Sequence, residues 1–554
     1  MWSQTYITLG GLVPSALLAA VPVALMLYLL GVARKPSWVA GPSGCGVAFV
    51  IALFAYHMPV NLAVNSAIYG AAYGLLPIGW IVFTALLLYR LAVETGKFEI
   101  IKDSIGHLTS EKYMQALVIA FAFGAFIEGA SGFGTPVAVA SAMLAGLGFA
   151  PFEAAAICLL ANTAPVAFGA IGTPIVGLQS VTGLPMGDLS ADVGRLCAPL
   201  ALIVPLYVIA VMGGKKGLKQ AGVAALVCGA VFAITQFLVS SYIGPYLTAI
   251  LSSLSAIGAM VVMCVIRRKP SDRPAHADQA QGRHSAGAML LAWSPYIFLI
   301  IFVLLLNGDQ IVLPKPFDVL WPTAKLAALK AFLNRATWVF GWPGLHNLVQ
   351  KMPPVVKAQA PYAANYTFNP LTTSGTAALY ATFATAIVLR VSPSKLVRVI
   401  WLTMKQLALP TVTIASVLAL AYLMNYSGAT ATLGLTFSAS GRFFPFFSTL
   451  LGWIGVFLTG SDTSANALFG NLQVVTANTL GFNPTLMASA NSAGGVMGKM
   501  ISVQSIAVAG AATGLSRTQE AELMRFTIKH SIFLASLTGL VTLFYAYVMP
   551  GWVR

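Results

Sequence analysis

Long stretches without one ionisable side chain set what this chain can fold into. From Val13 to Ala33 there is no charge, and Arg34 and Lys35 follow at once. A secretory leader carries its positive charge before the apolar core and small residues after it, so this stretch reads as a first membrane-spanning helix. Further runs of roughly 20 residues, the length a bilayer core demands, lie near 37–56, 74–93, 196–214, 221–240, 245–266, 286–306, 371–389, 397–424, 440–459 and 527–549. Only 8% of the residues are charged, 58% are hydrophobic, and mean hydropathy is +0.83. A soluble domain carries about 25% charged residues, which excludes that class. The expected fold is an all-α polytopic membrane protein with about 12 or more transmembrane segments.

The formal charge of +16 would suggest nucleic acid as a partner in a soluble chain. Here it sits in short loops, where it fixes orientation instead. Arg34 and Lys35, the 97–112 loop (Lys97, Lys102, Lys112), Lys215, Lys216 and Lys219, the 267–283 loop (Arg267, Arg268, Lys269, Arg273, Arg283) and the 390–398 loop (Arg390, Lys395, Arg398) alternate as cytoplasmic. The N-terminus is then outside. The polar, Pro-containing segment 267–285 reads as a linker between a first half, 1–266, and a second, 286–554. Residues 307–370 form an external loop with no assignable chemistry. The five cysteines, Cys45, Cys158, Cys197, Cys228 and Cys264, are odd in number, lie in apolar segments and include no C-x-x-C pair, so neither a disulfide framework nor a zinc site is supported.

Two regions, 114–180 and 460–512, are apolar yet repeatedly interrupted by Gly, Pro, Ser, Thr and Asn, so continuous helices are not expected there. Backbone that breaks at membrane depth is tolerated only where it is buried in protein or lines a cavity. The two regions also match each other. ETGKF at 94–98 aligns with YSGAT at 426–430, GAFIEGAS at 124–131 with GVFLTGSD at 455–462, and ANTA at 161–164 with ANSA at 490–493. The offsets are 426 − 94 = 332, 455 − 124 = 331 and 490 − 161 = 329, in order and nearly constant. Charge bias makes the helix before ETGKF run inward and the helix before YSGAT run outward, so the repeats are expected to be inverted. Inverted repeats with interrupted helices are a mark of secondary transporters, whose substrate site lies near the midplane. The plainer reading is that Gly and Pro merely kink ordinary packed helices.

Within these regions a few polar residues stand out. Glu128 follows twelve apolar or small residues, Gln115 being the last polar side chain before it. An ionisable group at membrane depth is costly and is a functional candidate by default. Low dielectric favours the neutral form of a carboxyl, which suits a group that takes up and releases a proton. Asp462 lies in a short polar run with Ser461, Thr463, Ser464 and Asn466, and the repeat sets it against Ser131 and sets Thr459 against Glu128. Both acids are candidates for proton coupling. Each also has a structural reading, as a carboxylate capping a half-helix N-terminus.

Lys499 is the only cation between Arg442 and Arg517. It needs an anionic partner, which is a bound carboxylate, or else Glu128 or Asp462 in a permanent ion pair. Asn162 and Thr163, with Asn491 and Ser492, are read as heading the second broken element of each repeat, where half-helix N-termini can hold a small carboxylate; Asn at a break is also a common cap. Gly132, Ser131, Thr459, Ser461, Thr463, Ser502 and Gln504 complete the candidate substrate lining, with Gly169, Gly172, Thr173, Pro174 and Ser505 on weaker grounds. No Walker sequence, nucleophile elbow or metal-ligand cluster occurs, so no cofactor or metal is expected and ATP-driven pumping lacks a basis.

Five long motifs, FGAFIEGASGFGTPVA at 123–138, LLANTAPVAFGAIGTPI at 159–175, KMPPVV at 351–356, GWIGVFLTGSDTSANALF at 452–469 and GGVMGKMISVQSIA at 494–507, give the chain its resemblance to the bacterial L-lactate permease family, over essentially its whole length. The resemblance implies proton-coupled uptake of 2-hydroxymonocarboxylates, L-lactate first, with D-lactate and glycolate as further substrates. It also implies a bacterial inner membrane and a relation to the wider ion-transporter superfamily, with re-entrant hairpins around a central site. Glu128, Asp462 and Lys499 lie inside these motifs, but the resemblance assigns them no step. The expected partners are a small carboxylate, a proton and the lipid bilayer, with no nucleic acid. A sodium-coupled carboxylate transporter, a channel and a membrane-embedded enzyme are the rival classes, the last without a nucleophile or metal constellation to support it.

Overall fold

The computed structural model describes residues 1–267, 284–308, 311 and 322–554; apart from its ends, the 267–285 linker lies outside them. Among the described residues, 11 helices are long and apolar enough to cross a bilayer, or 12 if a bent pair counts as one span. Their outer faces carry exposed Leu17, Phe54, Val223, Val265 and Ile387, while Thr84, Ser141, Asn466, Gln473 and Asn491 are fully enclosed. This reversal of the soluble pattern is what lipid imposes: apolar side chains face the tails, and helices meet through small and hydrogen-bonding residues.

The helices form two groups. In one, Ser37–Phe54 and Val60–Tyr73 lie along the long Pro393–Ser427 helix, Leu12–Gly31 packs on Ser37–Phe54, and Trp80–Glu94, Ser374–Val388 and Ala286–Asn307 pack in series. In the other are the interrupted elements. Lys112–Ala130 is followed by Thr135–Gly146, and Pro151–Ala161 meets Val166–Thr182 at a 65° bend. Later in the chain, Phe444–Thr459, Asp462–Leu480, Pro484–Lys499 and Val503–Thr513 follow one another. The two halves meet where Gly169–Thr182 packs on Asp462–Leu480 and Thr135–Gly146 packs on Val503–Thr513. Gly96 (φ 71°) and Gly428 (φ 92°), a matched pair in the sequence repeat, each end a long helix in the left-handed region and start a short one. Glycine reaches that region without steric cost.

Several expectations need correction. Within 114–180 the first helix, Lys112–Ala130, runs unbroken up to the interruption at 131–134, with Ala116–Phe123 wound as π-helix; it holds no Gly or Pro before Gly124 and is buried from Met114 onward. The run near 74–93 is preceded by a helix, Val60–Tyr73, whose Asn61, Asn65 and Ser66 hid it, and the two join through a π-wound turn at Gly74–Gly79. The runs 196–214 and 221–240 are two helices, the first opening earlier at Met186, that fold back on each other across a break at Gly214 (φ 52°); Ser190 Oγ donates to Ser240 O at 2.9 Å, and a Cβ on Gly229 would meet Leu202 O. Near 371–389 the helix is only Ser374–Val388, 15 residues. The fold is also not wholly helical. Trp338–Gly341 pairs antiparallel with Asn365–Phe368, and Val349–Lys351 pairs with both Trp2–Ser3 and Ala360–Pro361, folding part of the 307–370 segment into two small sheets.

Candidate functional site

Glu128 sits in the last turn of its helix and is 4% exposed. The helix ends at Ser131, after which Gly132 (φ 61°), Phe133 (φ 55°) and Gly134 (φ 81°) all take left-handed backbone and start Thr135–Gly146. Asn162, at the C-terminal cap of Pro151–Ala161, donates through Nδ2 to Glu128 Oε2 at 3.2 Å. On the other side the backbone of Gly169 comes so near that a Cβ there would stand 2.6 Å from Oε1. Beyond it Ala170 (φ 44°), Ile171 (φ 55°) and Gly172 (φ 72°) run left-handed in succession. For a β-branched residue such as Ile171 this is strained, at about 1–3 kcal/mol per residue, and its full burial holds it there. The strained turn is what brings Gly169 against the acid.

Asp462 opens the helix Asp462–Leu480 after the break at Gly460 (φ 71°). Ser461 is the N-cap, its Oγ accepting from Ser464 N at 3.2 Å, so Asp462 lies in the first turn, where negative charge is favourable. Its Oδ2 accepts from Ser492 Oγ at 2.6 Å and from Asn466 Nδ2 at 3.5 Å. The network continues: Asn466 Nδ2 also reaches Pro174 O and Ser492 Oγ, Asn491 Nδ2 donates to Asn466 Oδ1 at 2.9 Å, and Gln473 Nε2 donates to Asn491 Oδ1 at 3.1 Å. Asp462 Oδ1 is buried with no hydrogen-bond partner among the described residues, and a Cβ on Gly495 would collide with it.

Lys499, 7% exposed, ends the helix Pro484–Lys499, where positive charge is favourable. Its Nζ donates to Gly460 O at 2.6 Å. Among the described residues no carboxylate oxygen lies within 4.0 Å of it, so in this conformation the ammonium is not locked in an ion pair.

Glu128, Asp462 and Lys499 line one cavity of about 170 Å³. With them on its wall are Gly132, Gly169, Thr173, Pro174, Thr459, Ser461, Thr463 and Gln504, all singled out in the sequence. The others lie behind it. Ser131 Oγ returns to Ile127 O at 3.0 Å and Thr163 Oγ1 to Leu160 O at 2.9 Å. Ser502 caps Val503–Thr513 and bonds Ser505 Oγ at 2.9 Å. A Cβ on Gly172 would meet Pro245 rather than the cavity. Asn162 and Ser492 act on the cavity only through the acids, and Asn491 one step further back.

Asn491 and Ser492 also correct the expectation that they head a broken element. They lie inside the Pro484–Lys499 helix, and the break falls at residues 500–502. The helix runs on because Gly494 and Gly498 let it press against the backbone of Phe444–Thr459, the close approach small residues permit in membranes.

The opposite wall was missed. Ser37 and Trp38, at the start of their helix, and Leu409, Pro410, Thr413 and Ile414 from Pro393–Ser427 complete the cavity, with Thr413 Oγ1 donating to Ser37 Oγ at 3.2 Å. Pro410 inside a long helix was the one available signal. Among the described residues no group of three His, Cys, Asp or Glu could hold a metal ion. The site therefore offers two acids, one ammonium outside any ion pair and several hydroxyl and amide groups in a small cavity, a set able to hold a small anion and a proton together.

The family model described as L-lactate permease matches residues 15–549 of the chain. The chain is 42% identical to the glycolate permease GlcA of Escherichia coli K12, over 99% of each. It is also 42% identical to the L-lactate permease of Bacillus subtilis 168, over 100% of this chain and 99% of that one. The solved YdaH transporter of Alcanivorax borkumensis aligns with a TM-score of 0.44 at 14% identity, over 98% of each chain.

Proposed function

The chain belongs to the L-lactate permease family, whose members are multi-pass transporters of the inner membrane and not enzymes, and from that premise we propose that it takes up L-lactate, D-lactate and glycolate together with protons. The observation that carries this reading is the meeting of Glu128, Asp462 and Lys499 in one cavity at membrane depth. Lys499 and the nearby helix termini hold the carboxylate. The 2-hydroxyl is met by Thr459, Ser461, Thr463 or Gln504.

Proton coupling has an electrostatic reason. Charge at membrane depth is expensive, and with both acids ionised and Lys499 protonated the cavity already holds −2 + 1 = −1. A lactate entering alone makes it −2, whereas a lactate with one proton leaves it unchanged. Glu128 is the proton carrier, because among the described residues one amide is its only hydrogen-bond partner and its carboxyl lies on the cavity wall. The inverted relation of the halves, supported by the offset motifs and by the reciprocal packing between them, gives the means for access to alternate between faces.

The test is uptake of labelled lactate into proteoliposomes under separately imposed pH, sodium and voltage gradients. Accumulation driven by an inward proton gradient without sodium is expected. A requirement for sodium would transfer the coupling to that ion, and equilibration without accumulation would make the protein a channel.

A further inference from the structure

On the far side of the Gly132–Phe133–Gly134 loop lies a second cavity of about 490 Å³ that the account above does not use. Its wall includes Arg90 and Glu94, from the Trp80–Glu94 helix, and Gln406, from Pro393–Ser427. Arg90 donates through its guanidinium to Gln406 Oε1. Among the described residues no carboxylate oxygen lies within 4.0 Å of Arg90, so a half-buried positive charge is left facing a neutral amide. Glu94 closes the helix that leads into the 97–112 segment, whose Lys97, Lys102 and Lys112 the charge bias makes cytoplasmic.

Phe133 belongs to the walls of both cavities. It is held in the left-handed region between two left-handed glycines and is 36% exposed. A Cβ on Gly132 would stand 3.0 Å from Ala170 Cβ, so the loop lies against the strained turn beside Glu128. An apolar ring is a barrier to an ion, and a short loop of this kind can swing it aside through a few backbone torsions.

We propose that the Arg90 cavity is a second, outer binding station for a small monocarboxylate, and that Phe133 is the partition between it and the central cavity. A guanidinium takes a carboxylate through two parallel charge-assisted bonds, stronger than its bond to an amide oxygen. Glu94 on the same wall weakens the hold, as a station on a conduction path requires, since binding must be weak enough to let the ion leave. The inference rests on the carboxylate-transport reading, but it fails separately.

The experiment uses oriented proteoliposomes and measures lactate KM from each face. Arg90→Gln is expected to raise KM about tenfold from the Lys97 face and less than about twofold from the other, while Arg90→Lys, which keeps the charge but loses the two-bond fork, falls between the parent and Arg90→Gln on the first face. Phe133→Ala, which needs no charge change, is expected to lower gradient-driven accumulation about fivefold while preserving or raising lactate–lactate exchange. Equal KM changes from both faces for Arg90→Gln, or none, would overturn the station. Unaltered accumulation in Phe133→Ala would overturn the partition, and it decides that point even if Arg90→Gln fails to fold. Parent protein that moves no lactate from either face refutes the transport reading instead.

Discussion

The two acid-bearing breaks solve one problem in different ways. Both place a carboxylate next to a helix interruption, and both bring to it a polar residue of the matching A-N-x-A motif, Asn162 in one half and Ser492 in the other. Around Asp462 the polar contacts multiply into a chain through Asn466, Asn491 and Gln473, and the acid sits at a helix N-terminus that favours its charge. Around Glu128 there is one amide, a glycine backbone and the cavity, at the wrong end of a helix for an anion. A carboxylate whose oxygen is held by a hydroxyl and an amide that are themselves tied into a network is harder to re-protonate than one held by a single amide. On the proposed reading, this difference gives anchoring to the second half and proton traffic to the first.

The largest effect expected from that division is at Glu128. Glu128→Gln should lower accumulation driven by a pH gradient by about a hundredfold while leaving labelled lactate exchange within about threefold of the parent. Gradient-driven uptake at the parent level would erase the distinction. Next, Lys499→Ala should raise lactate KM about tenfold, equivalent to about 1.4 kcal/mol; a change confined to protein abundance would show that the ammonium serves structure alone.

Stability should rank the halves in the opposite order. Asp462→Ala takes the acceptor from the Ser492 hydroxyl and one of three partners from Asn466 Nδ2, and is expected to cost about 2–3 kcal/mol, seen as a lower unfolding temperature in detergent. Glu128→Ala strands only Asn162 and should cost about 1 kcal/mol. Equal losses would deny that Asp462 is the better anchored acid. The smallest contrast is between the supporting residues: Ser492→Ala should lower the unfolding temperature more than Asn162→Ala, whereas Asn162→Ala should shift the pH profile of uptake more.

Much of this was legible in the chain. Uncharged runs bounded by basic loops located most spans, and Gly-rich interruptions marked the breaks at 131–134 and 460–461, because lipid makes both features costly to place elsewhere. The three charged side chains of the cavity were visible for the same reason. What escaped needed the third dimension. Ser37, Trp38 and Thr413 lie in ordinary-looking apolar helices, and nothing local says that their faces turn toward Glu128. The break after Lys499 was set too early at Asn491, since Gly494 and Gly498 mark close packing against Phe444–Thr459 rather than a turn, and only the partner helix distinguishes the two. The strand at Val349–Lys351 pairs with Trp2–Ser3, a contact between distant parts of the chain that no short window reveals.

The central claim, that lactate enters with a proton carried by Glu128, is tested most directly by trapping a pH-sensitive dye inside proteoliposomes and adding lactate outside at zero membrane potential. The parent protein should acidify the lumen as labelled lactate enters, and Glu128→Gln should exchange lactate without acidification. Acidification of equal rate in the variant, or lactate entry through the parent with no change in internal pH, would contradict the account.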